Sequence, residues 1–353
     1  MTDKKNARIH WVDQAKGIAT ILVVLGHVLT NGMSSGIVTQ KSLALLINLI
    51  YSFHMPLFFF ISGYLQSVES AVSVRVLCQK FKRNLMDLAI PYMIFTYAYL
   101  LIKMVFGATS AVINQVSFFD FIAVLFIPAG EYWFLYALIL FITVAFVLKL
   151  VCCVGNKEVA DKAYIVGAAV LVFAAIYFGM SGVSSKVGVI RASHQAVYYF
   201  AGMFTRILYD CQIVKHRLSE MWKLCVLIVV LLCLYGVKFA LFVNHAAIDL
   251  AIALAMILLF TGIPAKTDNV FAALGKTSLP IYLLHVFVVV LCRILLQKLG
   301  INNAFAYVLA STVISIVIPY VAYQYIIVKN KCLLFLVKPS LAIKMHTNRK
   351  IKE

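Results

Sequence analysis

Three histidines stand inside long apolar runs of this chain: His27, His54 and His285. Imidazole is the side chain that takes and returns a proton near neutral pH, so such residues suit general acid–base or nucleophilic chemistry. Their depths agree. His27 follows Lys16 by eleven residues, about 16 Å along a helix. His285 follows Lys276 by nine, about 13 Å. His54 sits near the centre of the run 43–66. A single buried imidazole is as readily structural as functional. Three at one level read as a polar chamber.

The neighbours of these histidines carry chemistry too. Pro56 removes a backbone N–H and deprives the Ser52 carbonyl of its helical partner. A broken turn of that kind is tolerated where it lines a cavity or packs on protein. Ser62 and Gly63 follow, with Phe58, Phe59 and Phe60 between. Phe58 reads as lipid-facing bulk, and Gly63 admits a close helix or ligand. A basic group, Lys80, Lys82 and Arg83, precedes the next apolar run, with Arg75 upstream. Lys80 and Arg83 are three apart and share a helix face, a pair able to grip a phosphate or pyrophosphate. Loop 108–131 holds Asp120 and Glu131 and no Lys or Arg. Glu131, Tyr132 and Trp133 fall at the edge of an apolar run, where aromatic residues usually form an interfacial belt.

These residues must be held by a membrane scaffold. Hydrophobic residues make up 63% of the 353 and charged ones 12%, against about 25% charged in ordinary soluble domains, and the mean hydropathy is +0.98. That excludes a soluble enzyme, a disordered chain and a secreted disulfide scaffold. Runs long enough to span, about 20 residues each, fall at 14–33, 43–66, 85–107, 132–151, 163–180, 193–210, 222–243, 246–263, 279–298 and 304–328. The expected fold is all-α, a polytopic membrane protein of about ten transmembrane helices, with 1–353 as one domain and 1–13 and 330–353 as basic cytoplasmic tails. The apolar stretch 117–128 is too short to span and reads as an interfacial or re-entrant piece. The first run, after Lys4, Lys5 and Arg8, lacks an A-x-A-type cleavage site and reads as an uncleaved span.

The formal net charge of +18 has a topological source rather than nucleic acid as a partner. With the N-terminus inside, 24 Lys and Arg fall on the inner side and 5 on the outer. That bias places both termini in the cytoplasm and requires an even number of spans. The eight Cys include no C-x-x-C pair, so no zinc site or disulfide framework is expected.

Longer motifs around these residues have a family look. W-V-D-Q-A-K-G-I-A-T-I-L-V-V-L-G-H, Trp11 to His27, resembles the first span of the acyltransferase-3 family, whose pattern there is a basic residue, ten positions, then His. Lys16 stands where that family usually has Arg. Y-S-F-H-M-P-L-F-F-F-I-S-G-Y, Tyr51 to Tyr64, resembles the second span of its fucose 4-O-acetylase-like branch. Lys80 to Arg83 is similar to the family's R-x-x-R element with Lys in first place. Y-W-F-L, from Tyr132, and G-K-T-S-L-P-I-Y-L-L-H, Gly275 to His285, resemble later motifs. The likeness covers essentially the whole chain.

The resemblance implies a membrane O-acetyltransferase of the bacterial inner membrane. Cytoplasmic acetyl-CoA would be co-substrate, with no metal. The acceptor would be a sugar hydroxyl of a glycan, such as lipopolysaccharide, or of its lipid-linked precursor, and membrane lipid is the remaining partner. The catalytic set would be His27, His54, His285 and Glu131, with His27 as base or as acyl carrier. Lys16, Lys80, Lys82 and Arg83 would hold the CoA phosphates. Asp13, Ser62, Gly63, Trp133 and Tyr282 would line the substrate chamber. The rival is a transporter or flippase of a lipid-linked sugar or small anion, which also needs buried polar groups and a broken helix. It is disfavoured because no matching pair of interrupted segments occurs in two halves.

Overall fold

A computed structural model of the chain describes residues 10–39, 41–66, 73–106, 116–152, 157–180, 188–210, seven positions between 227 and 236, 246–262, 269–300 and 303–350. Regular structure among them is helical throughout. In chain order the helices are α1 (His10–Ser34), α2 (Lys41–Tyr64), α3 (Val74–Phe106), α4 (Phe118–Ala123), α5 (Trp133–Cys152), α6 (Lys157–Met180), α7 (Gly188–Asp210), α8 (Ala246–Gly262), α9 (Val270–Lys276), α10 (Ser278–Lys298), α11 (Ala304–Ala322), α12 (Lys331–Val337) and α13 (Pro339–Lys350). A 3₁₀ turn, Gly130–Tyr132, leads into α5, and a π turn, Tyr323–Ile327, follows α11. Six stretches among the described residues are long and apolar enough to cross a membrane: α1, α2, α3, α5 with its 3₁₀ turn, α10, and α11 with its π turn. Runs 163–180, 193–210 and 246–263 fall on α6, α7 and α8. Most of run 222–243 lies outside the described residues. The stretch 117–128 contains only the six-residue α4.

Two units divide the chain: Met1–Ile61 with Cys211–Gln324, and Ser62–Asp210 with Tyr325–Glu353. In the first, α1 packs on α9, α10 and α11. Local sequence sets the helix starts. Asn269 caps α9 by accepting from the Ala272 N–H at 2.9 Å, and Asn303 caps α11 through Ala306 N–H at 3.0 Å. Each such cap is worth about 1 kcal/mol. Thr277, with φ −108° and ψ 12°, breaks α9 from α10. Pro280 falls in the first turn of α10, where its missing N–H costs no helical bond. The core between α1, α10 and α11 gathers Val24, Val28, Ile281, Val289 and Tyr307.

Glycine decides how closely α1 approaches α9. A Cβ on Gly17 would overlap the Phe271 carbonyl, and one on Gly275 would overlap the Asp13 carbonyl. The contact is reciprocal, backbone against backbone, as small residues permit between membrane helices.

In the second unit α5 packs on α3, α6 and α7. The 33-residue α3 extends well before the run 85–107 and carries Lys80, Lys82 and Arg83 inside a helix. Tyr92 of α3 donates to the Val124 carbonyl at 2.7 Å, anchoring the segment after α4. The stretch expected as a C-terminal tail forms α12 and α13. Both pack on α3. Asp87 of α3 accepts from the Ser340 N–H at 2.8 Å and from its hydroxyl at 2.5 Å, in the first turn of α13.

The glycine contact yields a direct test. Ala at Gly17 or Gly275 should cost about 1–3 kcal/mol of stability, seen as a lower unfolding midpoint of the purified protein in detergent. Gly236→Ala, where nothing lies within 4 Å of the new Cβ, should leave the midpoint in place. Three equal midpoints would remove the weight given to this crossing.

Candidate active site

The first unit brings the sequence-predicted histidines together. The His27 and His285 rings lie 5.2 Å apart, centroid to centroid, tilted by 43°. His54 joins them through Tyr51, whose ring stands edge-on 5.0 Å from His54 and 6.3 Å from His27. Tyr51 enters the cluster because Gly26 leaves room for it: a Cβ there would meet the Tyr51 ring at 3.0 Å. Sequence reasoning did not single out Tyr51. The available signal was its position three residues before His54, on one face of α2.

Two of the three imidazoles have fixed tautomers. The Nδ1 of His54 lies 2.5 Å from the Ile50 carbonyl, and that of His285 lies 2.7 Å from the Tyr282 carbonyl. A carbonyl only accepts, so each Nδ1 carries the hydrogen and each Nε2 holds the lone pair. Both rings are thereby set to accept a proton at Nε2. Tyr282 contributes this carbonyl, and its ring lies 5.9 Å from that of His285.

Lys16 and His27 are eleven residues apart on one continuous helix. Eleven residues make just over three full turns, so the two share a face, about 16 Å apart. Thr20 between them donates to the Lys16 carbonyl at 2.7 Å. Asp13 lies in the first turn of α1, where a carboxylate is favoured by the helix dipole, and its backbone forms the glycine crossing.

The second unit holds a cavity of about 370 Å³. Lys80, Phe81, Arg83 and Asn84 of α3 line it, opposite Ile142, Phe146 and Lys149 of α5, with Gln66 at its edge. Phe81 and Phe146 stack at 4.1 Å and 13°, which clamps the two walls together. Three cations therefore converge on one pocket. The helical spacing that aligns Lys80 with Arg83 turns Lys82 away: it is exposed and absent from the lining. Lys149 went unnoticed in the sequence because, as a basic residue at the end of an apolar run, it looks like a topology signal.

Other predicted site residues of this unit fall elsewhere. A Cβ on Gly63 would overlap the Tyr199 carbonyl, so that glycine serves the approach of α7. Ser62 is half-buried in the last turn of α2. Glu131 and Trp133 are half-buried beside Tyr132. Tyr132 is fully buried and meets Tyr99 edge-on at 6.3 Å. Asp120 accepts from the Ser117 N–H at 2.6 Å, capping α4.

Residues 9–324 match the family model described as an acyltransferase domain. No curated protein and no solved structure matches the chain. With nearly the whole sequence under that one match, the chain belongs to the acyltransferase-3 family.

Proposed function

We propose that this protein is a bacterial inner-membrane O-acetyltransferase of about ten spans with both termini in the cytoplasm. It moves an acetyl group from cytoplasmic acetyl-CoA to a sugar hydroxyl of a cell-surface glycan or its lipid-linked precursor, in the manner of fucose 4-O-acetylase-like proteins. The observation that carries this reading is the pair His27 and His285 at 5.2 Å, in a chain of an acyltransferase family.

The chemistry needs a proton acceptor, because an alcohol is a weak nucleophile at neutral pH. His27 removes the hydroxyl proton as the oxygen attacks the thioester carbonyl. The C–S bond then breaks, and the imidazolium returns its proton to the departing CoA thiolate. In the other version His27 itself takes the acetyl group, and the sugar hydroxyl displaces it in a second step. Either way His285, with Nδ1–H held on the Tyr282 carbonyl, keeps a lone pair at Nε2 to orient or relay the His27 proton. The phosphates of CoA suit Lys80 and Arg83, a fork and a point charge, with Lys149 as third cation. Lys16 completes the basic set in this reading, Lys82 lying outside the pocket lining, and Glu131 and Trp133 serve the acceptor.

His27→Ala should remove transfer from labelled acetyl-CoA while expression and folding persist. A positioned base is worth about 10²–10⁴-fold, and near wild-type turnover would withdraw His27 from catalysis.

Lys80→Gln, Arg83→Gln and Lys149→Gln should each raise the KM for acetyl-CoA. Each lost charge-assisted hydrogen bond costs about 1.5–3 kcal/mol. Lys82→Gln and Arg75→Gln should change it little, since both side chains are exposed and outside the lining. A uniform response across all five would reduce the pocket to bulk charge.

Sidedness is open to labelling. A Cys placed at Asp120 should react with a membrane-impermeant thiol reagent added to intact cells, and one at Gln79 should not, in a background cleared of reactive native Cys. The opposite pattern would invert the proposed topology and with it the side from which acetyl-CoA enters.

A further inference from the structure

Two markers fix the depth of the C-terminal helices α12 and α13. The first is the end of a span. Ala304–Ile327 is long and apolar enough to cross a membrane, and α12 begins four residues later, at Lys331. In the connection the Lys329 Nζ lies 5.9 Å over the ring of Tyr325, and both residues are exposed. Tyr and Lys gather where a span meets the headgroup level. The second marker is on α3. Asp87 stands near the start of the apolar run 85–107, just after Lys80, Lys82 and Arg83. Its carboxylate accepts from the Ser340 N–H at 2.8 Å and from the Ser340 hydroxyl at 2.5 Å. The first turn of α13 is thereby tied to α3 where that helix passes from polar to apolar residues. Both markers set the helix pair at the membrane surface, not in the water beyond it.

The outward residues suit that depth. Leu334 and Val337 of α12, and Ala342 of α13, are buried, and both helices pack on α3. On α12, Lys331, Cys332 and Phe335 are exposed and share a face, being three and four residues apart. On α13, Leu341, Lys344 and Met345 are exposed in the same spacing. Each face therefore joins a cation to large apolar side chains. Hydrocarbon alone would not suit the lysines, and water alone would not suit the apolar groups. The stretch 325–350 carries Lys329, Lys331, Lys338, Lys344, Arg349 and Lys350 and no Asp or Glu.

We propose that α12 and α13 form an interfacial helix pair that lies on the bilayer and binds anionic lipid. Phe335, Leu341 and Met345 enter the boundary between headgroups and acyl chains, while Lys331 and Lys344 meet the lipid phosphates. Such helices draw their binding from buried apolar area and from attraction to anionic headgroups. The lipid surface is the partner because a span delivers the chain to it and because its charge complements the stretch. Asp87 holds the pair in place through Ser340, so the outward faces keep one orientation against the membrane. The inference stands on the spans and on these faces, and it holds whether or not the protein transfers acyl groups.

The test uses the full-length protein in nanodiscs of phosphatidylcholine alone, or of phosphatidylcholine mixed with phosphatidylglycerol. Modification by N-ethylmaleimide is followed at each thiol by mass spectrometry. Cys332, exposed on the outward face of α12, reports on the pair, and Cys78, exposed in the first turns of α3, is the control. Cys332 should react several-fold more slowly in the anionic discs, and Cys78 should change little. Each cation near an anionic surface is worth roughly fivefold in binding. Lys331→Gln combined with Lys344→Gln should therefore remove most of the difference, and Lys331→Arg with Lys344→Arg should keep it. In a second measurement, the added fluorescence of Phe335→Trp should be quenched by lipids brominated near the headgroup end of the acyl chain. Equal Cys332 rates in the two discs, a difference that the Gln pair leaves intact, or a Phe335→Trp emission blind to brominated lipid would overturn the proposal. Protection of Cys332 that follows protein concentration and not lipid charge would overturn it as well, giving the face to a second copy of the chain.

Discussion

The backbone contact between α1 and α9 governs the rest of the first unit. Two glycines, Gly17 and Gly275, each face the other helix's carbonyl chain at Phe271 and Asp13. No side chain intervenes, so the contact fixes position along the helix as well as distance. Beyond that crossing α1 packs on α10 as well, and the rings of His27 and His285 meet at 5.2 Å. Gly26 admits the Tyr51 ring where a side chain would block it.

The second unit uses aromatic stacking instead. Phe81 against Phe146, at 4.1 Å, holds α3 and α5 at a spacing that leaves a cavity of about 370 Å³ between their polar ends. Lys80, Arg83 and Lys149 reach into it from both walls. Like charges repel, so three cations gathered around one space favour a polyanion over a neutral ligand. Asp87, one turn beyond Arg83, is engaged by Ser340 and so serves α13.

How much of this was legible follows from the physics of each signal. The histidines were visible because apolar runs make a polar residue conspicuous, and helical rise converts spacing into depth. Their partnership needed the packing of α1 on α10, which joins residues far apart in sequence and has no local signature. The Lys80–Arg83 face follows from helix periodicity, and the same periodicity leaves Lys82 outside the cavity lining. Lys149 was hidden by an honest ambiguity: cations gather at the ends of membrane helices for topological reasons alone. The cap that Asp120 gives α4 and the approach of α7 that Gly63 admits depend on contacts that residue type alone does not reveal. The limits of α3 were missed at its start, because its first turns are polar and extend past any apolar window.

Imidazole is a fitting choice where the scaffold is apolar. A permanent charge inside a spanning helix carries a standing desolvation cost, whereas a neutral imidazole carries a proton only while a reaction requires it. The apolar helices of the first unit place three imidazoles and a phenol together. The carbonyls of Ile50 and Tyr282 take the role a carboxylate has in soluble acyltransfer sites, fixing the tautomer with no added charge.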